Sequence, residues 1–410
     1  MISEVPNPVS KVVLFSEMFY PDTTSTAYYL TEIARGLSVE FPVTVVTAKS
    51  DHAGESLAGI RIYRCATAGA GHGSLLARGL ASVGFCLSAL WRGIRVVRRG
   101  DVVFTVTNPP LLPYFALLLA YFKSARFVLL VHDVYPEVLA TAGILRSDSL
   151  PYKCLAACSR YLLRRSRPVI ALGRDMQAVF TRKGCSPAQI HLIPNWAENE
   201  LIPVLPKRDN QWLAKLGLRD AFIILYAGNS GRTHDIEVIL GAARHLRAEK
   251  SLHFLIAGFG RRLEDLQNSI RRDSLANISV EPFAFPRAEQ VQTLSAGDVA
   301  LITFVPGMAG VSVPSRMYNV MAAGRPIIAV ADAESELARV VTEEAIGWVV
   351  PPGDARGLAA AVLAARDHPV ETRQMGERAA RAAREKYSLE LALAGYRTAV
   401  RKVAAPVSKP

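Results

Sequence analysis

Short apolar segments alternate with helix-like segments along almost the whole chain, and this alternation restricts the possible fold more than any other feature. The apolar segments form two series, first KVVLFSE, VTVVTA, IRIYRC, DVVFTVT, RFVLLVHD, PVIALG and IHLIPN, then FIILYAG, LHFLIAGFG, ISVEPF, VALITFV, RPIIAV and IGWVVPPGD. Short continuous apolar strands that are separated by helices are typical of parallel sheets with helices on both faces. The sequence therefore predicts an α/β protein with two doubly wound halves in tandem.

The boundary between the two series lies near residue 200. The segment 198–218 carries two prolines and mixed charges, as a linker does, and a length of 410 residues suits two large domains. We predict one domain at 1–200 and a second at 201–386. Ligands of doubly wound sheets bind beyond the carboxyl ends of the strands, so the expected site is a cleft between two facing halves.

Charge and composition restrict the class of partner. Lys and Arg number 48 and Asp and Glu 36, which gives a net charge of +12. A basic chain favours nucleic acid, anionic lipid or a phosphorylated substrate, but no nucleic-acid-binding motif is present, and we expect no nucleic acid partner. The N-terminus lacks the features of a signal peptide, and the five cysteines indicate reduced, mostly buried thiols of a cytoplasmic protein.

Two uncharged stretches resemble membrane spans but do not predict one. The stretch 79–91 is too short to cross a bilayer. Prolines interrupt the stretch 102–122, which is better explained by a strand, a loop and a buried helix. We predict no transmembrane helix.

Glycine-rich turns follow two strands of the second half. One contains Gly228, Asn229 and Gly231, and the other contains Gly258 and Gly260. Glycines let the backbone approach an anionic ligand, but neither turn matches a dinucleotide or P-loop motif. Each turn is therefore an anion-binding turn or an ordinary connection between a strand and a helix.

A second anion-binding candidate is the segment Pro314-Ser315-Arg316. Proline suits the first turn of a helix and serine caps it, and the predicted helix ends at Gly324. Its amino terminus and Arg316 would together suit a diphosphate. The alternative is a capped helix that only packs on a sheet.

A cluster of His132, Asp133 and Glu137 stands at the end of the apolar segment RFVLL. Such a cluster can bind sugar hydroxyls and polarise a leaving group. The chain contains no Asp-x-Asp triplet, so we expect no metal and assign the cationic role to arginines and helix dipoles.

Arginines also cluster in the first half. Arg92, Arg95, Arg98 and Arg99 fall on one face of a predicted helix that follows the apolar stretch 79–91. Basic residues beside an apolar helix indicate either a helix that lies on an anionic bilayer or a solvated face.

Together these segments resemble the family 4 glycosyltransferases of the GT-B fold, and within them the fucosamine-transferase-like and colanic-acid-type enzymes of bacterial surface polysaccharide assembly. The resemblance spans some 340 residues and is carried by motifs in a fixed order, namely FYPDTTSTAYYLTEIARGL, HDVYPEVLATAGIL, IPNWAE, YAGNSGRTHDIEVILGAA, IAGFGRR, GVSVPSRMYNVMAAGRPIIA and GWVVPPGD. It implies two Rossmann-like domains facing across a cleft, with a C-terminal helix at 387–404 that crosses back to the N-terminal domain.

The resemblance also implies roles for individual residues. Arg232, Ser315 and Arg316 would bind the donor diphosphate, and His234 takes a position that is usually lysine. Phe283 and Phe285 lie in a loop whose backbone would contact the base. His132 would contact the transferred sugar.

The sequence departs from the family at three further places. The loop with Asp22, Ser25 and Thr26 lacks the paired glycines that usually lie near donor and acceptor. The two glutamates of the family fall at Val311 and Asn319, and of these only the asparagine can still accept a hydrogen bond from ribose.

The resemblance implies a retaining transferase that moves a hexosyl or N-acetylhexosaminyl group from a nucleotide-sugar, with UDP as the expected nucleotide. The expected acceptor is a polyprenyl-diphosphate-linked saccharide at the inner face of the membrane, or else a soluble saccharide. Two other functions stay open, a nucleotide-sugar-binding partner without turnover and a nucleotide-sugar 2-epimerase.

Overall fold

The chain forms two compact units, each built around one parallel sheet. A computed structural model describes residues 11–50, 57–66, 75–260, 262–281 and 290–404. The first unit comprises Met1–Pro136, Leu150–Pro194 and Glu390–Pro410, and the second comprises Glu137–Ser149 and Asn195–Leu389. The doubly wound α/β class predicted from the alternation is confirmed.

The first unit holds a seven-stranded parallel sheet in the order β3-β2-β1-β4-β5-β6-β7. Its strands are β1 (Val12–Phe15), β2 (Val43–Ala48), β3 (Ile60–Cys65), β4 (Val102–Val106), β5 (Arg126–Leu130), β6 (Val169–Ala171) and β7 (Ile190–Leu192). Its helices are α1 (Ser25–Ser38), α2 (Leu75–Val96), α3 (Leu112–Phe122), α5 (Leu150–Arg165), α6 (Arg174–Arg182) and α15 (Leu389–Ala404). Every residue of β1, β2 and β4 is buried, as strands covered on both faces require.

The second unit holds a six-stranded parallel sheet in the order β10-β9-β8-β11-β12-β13. Its strands are β8 (Phe222–Asn229), β9 (Leu252–Phe259), β10 (Ile278–Glu281), β11 (Val299–Thr303), β12 (Ile327–Val330) and β13 (Gly347–Val350). Its helices are α4 (Glu137–Thr141), α7 (Gln211–Lys215), α8 (Ile236–His245), α9 (Leu263–Arg272), α10 (Gln290–Ala296), α11 (Arg316–Ala322), α12 (Glu336–Glu343), α13 (Ala355–Asp367) and α14 (Pro369–Glu385). The strand order reverses between β8 and β11, which is where such sheets bind ligands.

The C-terminal helix α15 packs within the first unit, as the resemblance implied. A side chain at Gly36 of α1 would have its Cβ only 2.6 Å from Cδ2 of Leu393. Tyr396 is fully buried, with its ring centroid 6.3 Å from that of Phe104 in β4. Arg401 forms a two-point ion pair with Glu40 at 2.7 Å. The last helix is therefore part of the core of the N-terminal unit.

The structure corrects two expectations about the apolar helices. Helix α3 is not buried all round, because Leu118, Tyr121 and Phe122 are exposed. Helix α2 ends at Val96, so Arg98 and Arg99 lie beyond it rather than on its face.

In the described ranges, no helix is both long enough and apolar enough to span a membrane.

The cysteines divide into two groups. Cys65, Cys86 and Cys185 are buried, and burial raises the pKa of the Cys86 thiol to about 12. Cys154 and Cys158 are exposed on α5, so the predicted burial holds for three of the five.

Tyr396 tests how α15 contributes to stability. Its buried hydroxyl has no hydrogen-bond partner among the described residues, so Tyr396→Phe should leave the free energy of unfolding nearly unchanged. Tyr396→Ala should lower it by about 3–5 kcal/mol through loss of the buried ring. Urea unfolding of both variants checks this, and an equal loss in Tyr396→Phe would contradict it.

Candidate functional site

The carboxyl ends of β8 and β9 come unusually close together. Gly228 and Gly258 are directly paired in register. A Cβ built on Gly258 would lie 2.0 Å from the carbonyl oxygen of Gly228, so no other residue fits there. Gly260 has a φ of +136°, and a side chain there would meet Oγ of Ser230 at 2.4 Å. These glycines let the two predicted turns pack side by side as one strip of backbone.

Arg316 is the first residue of α11, and its side chain extends to this strip. Its Nη1 donates to the carbonyl of Ala227 at 3.3 Å, and its guanidinium lies 5.1 Å from the ring centroid of Tyr226. A side chain at Gly228 would meet the same Nη1 at 3.0 Å. The structure thus brings together Gly228, Gly258 and Arg316, which were predicted from the sequence in separate anion-binding candidates.

His234 fixes the guanidinium of Arg316. The Nδ1 of His234 lies 2.9 Å from the carbonyl oxygen of Thr303, which can only accept, so Nδ1 carries the hydrogen. The Nε2 lone pair then accepts from Nη2 of Arg316 at 2.8 Å. The imidazole also stacks on Phe304 at 5.5 Å.

This environment keeps His234 neutral. Burial first, and the guanidinium of Arg316 second, lower the pKa of His234 to about 3. The residue therefore supplies no positive charge at neutral pH, unlike a lysine at the same position. Its role in this geometry is to accept a hydrogen bond and so orient Arg316.

Two further arginines stand near the strand ends. Arg232 is exposed and forms no hydrogen bond or ion pair with any described residue. Arg262, which the sequence analysis did not select, donates from Nη1 to the carbonyl of His234 at 3.1 Å and from Nη2 to Glu237 at 3.4 Å. The strip is therefore cationic, as an anion-binding site requires.

Helix α11 differs locally from the prediction. Ser315 occupies the N-cap position, but its side chain makes no capping hydrogen bond, and Pro314 lies just before it. The helix runs for seven residues and stops at Ala322, two residues before Gly324, whose φ is +65°. The charge of Arg316 rather than a long helix dipole is thus the main electrostatic feature here.

Asn319 lies one turn after Arg316 and is held by two other side chains. Its Nδ2 donates to Oε1 of Glu198 at 2.7 Å and to Oε1 of Gln290 at 2.9 Å, and its Oδ1 accepts from the backbone N–H of Glu198 at 3.2 Å. Both amide hydrogens are therefore used within the protein. Glu198 is a buried carboxylate that the sequence analysis passed over within the motif IPNWAE.

The first unit presents its own candidates at the carboxyl ends of its strands. The backbone N–H groups of His132 and Asp133 both donate to Oγ1 of Thr107, at 3.0 and 3.3 Å, so the loops after β4 and β5 are tied together. His132 is half-buried, and burial lowers its pKa to about 4. It is thus a neutral hydrogen-bonding group near pH 7.

The loop after β1 carries the remaining candidates of the first unit. Asp22 accepts a hydrogen bond from Oγ of Ser50 at 2.8 Å. Ser25 is exposed at the start of α1, and Thr26 is half-buried beside it. Glu137 begins α4 and groups with the second unit, whereas His132 and Asp133 belong to the first.

Two predicted site residues of the loop near the base, Phe283 and Phe285, lie outside the described residues. Within the described ranges, no three His, Cys, Asp or Glu side chains gather in a way that could hold a metal ion.

Two family models match the chain, one in its N-terminal half and one in its C-terminal half. The family described as "Glycosyl transferase 4-like domain" matches residues 25–196, and "Glycosyl transferases group 1" matches residues 221–368. The chain is 34% identical to the probable glycosyltransferase WbjE of Pseudomonas aeruginosa over 86% of this chain and 88% of that protein. It is 26% identical to the putative colanic acid biosynthesis glycosyl transferase WcaI of Escherichia coli K12, over 90% and 96% of the two chains.

Solved structures share the fold at low identity. Sucrose-phosphate synthase from Thermosynechococcus elongatus aligns with a TM-score of 0.78 at 17% identity, over 96% of this chain and 99% of that one. The Anabaena protein HepE in complex with UDP-glucose aligns with a TM-score of 0.73 at 14% identity, over 96% and 99%.

The neutral state of His234 predicts a pH dependence of stability. Because its pKa falls from 6.5 to about 3 on folding, the unfolded chain binds a proton between these values that the folded chain does not. The free energy of unfolding should therefore fall as the pH drops below 6.5, by at most about 1.4 kcal/mol per pH unit from this residue. His234→Gln should flatten this slope between pH 6.5 and 4.5, as followed by urea unfolding.

The matched control is His245→Gln at an exposed position at the end of α8. It should leave the slope unchanged. If His234→Gln and His245→Gln had the same slope as the parent chain, His234 would not be buried in its neutral form.

Proposed function

Since the chain belongs to the family 4 glycosyltransferases, which have the GT-B fold, we propose that it transfers a sugar, with retained anomeric configuration, from a nucleotide-sugar to an acceptor in bacterial surface polysaccharide synthesis. One observation carries the proposal: Arg316 is oriented by a neutral histidine at the carboxyl ends of β8 and β11. This is the point of strand reversal where a doubly wound sheet binds its ligand. The names of WbjE and WcaI support the polysaccharide context.

The donor diphosphate would lie against the strip of backbone at Gly228, Gly231, Gly258 and Gly260. Arg316 and Arg232 would contact its oxygens, and Pro314 and Ser315 would border it. Asn229 is exposed three residues before Arg232 and would be available to the same ligand. The UDP-glucose bound by the related HepE fold supports UDP as the nucleotide.

Ribose binding differs from the family pattern at Asn319. Its amide hydrogens are already donated to Glu198 and Gln290, so only a remaining lone pair of Oδ1 is free for a ribose hydroxyl. The carboxylate of Glu198 nevertheless stands 2.7 Å from Nδ2 of Asn319. A negative charge is therefore retained next to the position where the family has its second glutamate.

Sugar transfer would follow from electrostatics. As the bond between the anomeric carbon and the diphosphate oxygen breaks, negative charge grows on the leaving nucleoside diphosphate, and Arg316 and Arg232 stabilise it. The acceptor hydroxyl attacks the oxocarbenium-like carbon from the same face and gives its proton to a phosphate oxygen of the leaving group. His132, neutral at pH 7, would hydrogen-bond to the sugar, with Asp133 beside it. No step requires a metal.

Turnover separates this function from its two rivals. A purified transferase should consume donor only when acceptor is present, apart from slow hydrolysis. A 2-epimerase would convert the donor without acceptor, and a binding partner without turnover would leave it unchanged. Product analysis by NMR with and without acceptor distinguishes the three.

Replacement of Arg316 should weaken donor binding without unfolding the protein. Arg316→Ala removes a charged hydrogen-bond donor, so the affinity for the preferred nucleoside diphosphate should fall about 10- to 100-fold. A thermal-shift panel with UDP, GDP, ADP, TDP and CMP identifies that nucleotide, and calorimetry gives its affinity. Arg247→Ala, at an exposed arginine of the same unit, is the matched control, and equal affinity in both variants would refute the diphosphate assignment.

We also propose that the acceptor is a polyprenyl-diphosphate-linked saccharide and that the protein binds the inner face of the membrane. Helices α2, α3 and α5 of the first unit support this, since α3 packs against both others and none of the three contains an acidic residue. Large apolar side chains of the three helices are exposed, namely Leu80, Leu87, Trp91, Ile94, Leu118, Tyr121, Phe122, Leu150, Leu155 and Tyr161. A basic and apolar surface of this kind suits an anionic bilayer.

Arginines accompany the exposed aromatic rings. Arg95 lies 4.0 Å from the ring centroid of Trp91, and Arg165 lies 5.4 Å from that of Tyr161. Such pairs suit the headgroup region, where an apolar ring and a cation meet anionic phosphates. Of the predicted arginine cluster, Arg95 thus belongs to a wider three-helix surface.

Vesicle flotation tests this surface. The triple variant Trp91→Ser, Tyr121→Ser, Phe122→Ser should bind phosphatidylglycerol-containing vesicles at least tenfold more weakly because it loses buried apolar area. The matched control replaces Val39, Leu201 and Leu391, which are also exposed but lie elsewhere. Equal binding of both variants and the parent chain would show that these helices face water only.

A further inference from the structure

The second unit contains a cavity at the edge of its sheet opposite to the proposed donor site. The cavity has a volume of about 800 Å³. Its floor includes Phe222, the first residue of β8, and Asp298 and Pro326, which immediately precede β11 and β12. The proposed donor site lies at the carboxyl end of β8, so the two sites share a sheet but not a surface.

Arginines dominate the charged lining of this cavity. Five arginines but only two acidic residues line it, namely Arg325, Arg366, Arg373, Arg381, Arg384, Asp298 and Glu377. Asp298 is already occupied, since it pairs with Lys207 and accepts from the N–H of Ile223 at 2.7 Å. Arg366 is likewise paired, with Glu249 and Asp367. The surplus charge therefore comes from the other arginines.

Three of these arginines project from one side of α14. Arg373, Arg381 and Arg384 are exposed, and none forms an ion pair or hydrogen bond with any described residue. Arg381 and Arg384 are three residues apart and repel one another, and Glu377 can balance only one of the three arginines. A bound anion would relieve this repulsion.

Arg325 also lines the cavity, and one of its donors has no partner among the described residues. Its Nη2 donates to the backbone carbonyls of Leu205 and Ser295. Its Nε is buried and has no partner within the described part of the chain. Buried donors are normally satisfied, so within the described residues Arg325 keeps hydrogen-bonding capacity that its two carbonyl contacts do not use.

Apart from Thr372, the rest of the lining has no polar side chain. Its apolar part includes Val204, Phe222, Pro326, Pro369 and Ala380, together with the aliphatic parts of the arginine side chains. A volume of this size is within the range of sites for small organic ligands. Simple inorganic anions would leave most of such a cavity empty.

From this combination we propose that the cavity binds an organic phosphate with at least two negative charges, whose phosphates contact Arg373, Arg381 and Arg384 and whose organic part lies on the apolar floor. This site is independent of the donor site and of the proposed sugar transfer. Its position at the amino ends of the strands, away from the proposed donor site, makes it a site for an effector rather than for a reacting substrate.

Calorimetry with ATP as the probe tests the proposal in the Arg316→Ala background, which removes the guanidinium of the donor site. ATP should still bind with one saturable site. The triple variant Arg373→Gln, Arg381→Gln, Arg384→Gln in that background should bind at least tenfold more weakly. Inorganic tripolyphosphate, which has no organic part, should bind more weakly than ATP.

The matched control removes the same charge elsewhere in the unit. Arg219→Gln, Arg247→Gln and Arg356→Gln alter exposed arginines outside the cavity, and the affinity for ATP should stay within twofold. Equal losses in the two triple variants would mean unspecific attraction and would overturn the proposal. Absence of saturable binding to the Arg316→Ala protein at millimolar ATP would overturn it as well, whatever the outcome for donor binding and transfer.

Discussion

The hydrogen bond between Arg316 and a neutral histidine is the interaction on which the candidate donor site depends. An arginine side chain has many rotamers, and holding it in one of them costs side-chain entropy. Here the acceptor Nε2 of His234, the carbonyl of Ala227 and the ring of Tyr226 fix one of them. His234 can do this only because its other nitrogen donates to Thr303 and because burial keeps the ring uncharged. A protonated ring would have no lone pair to offer and would repel the guanidinium.

Positive charge is distributed over the molecule in three places with different surroundings. At the carboxyl edge of the second sheet, Arg316 is oriented in advance and half-buried, which suits a charge that develops during a reaction. On the outer helices of the first unit, arginines accompany exposed aromatic rings, which suits a bilayer surface. At the amino edge of the second sheet, unpaired arginines surround a cavity. The net charge of +12 alone could not separate these surroundings.

The fold could be predicted from the sequence because it depends on local patterns, namely continuous apolar strands, capped helices and glycine turns. Arg316 could be predicted for the same reason, since it follows Pro314 and Ser315 at the start of a predicted helix. The partners that give the site its chemistry could not, because they are distant in the chain. His234 lies 82 positions from Arg316, and Glu198 lies 121 positions from Asn319. The sequence predicts Tyr226 only as a strand residue. The apolar run of α3 is continuous, so the sequence does not show which face of this helix is exposed.

A double-mutant cycle on UDP binding tests the central claim most directly. Calorimetry would compare the parent chain with Arg316→Ala, His234→Ala and the double variant. If His234 acts by orienting Arg316, His234→Ala should weaken UDP binding about tenfold in the parent chain and less than twofold when Arg316 is already absent. The same loss of affinity in both backgrounds would contradict the account, because His234 would then act on the ligand independently of Arg316.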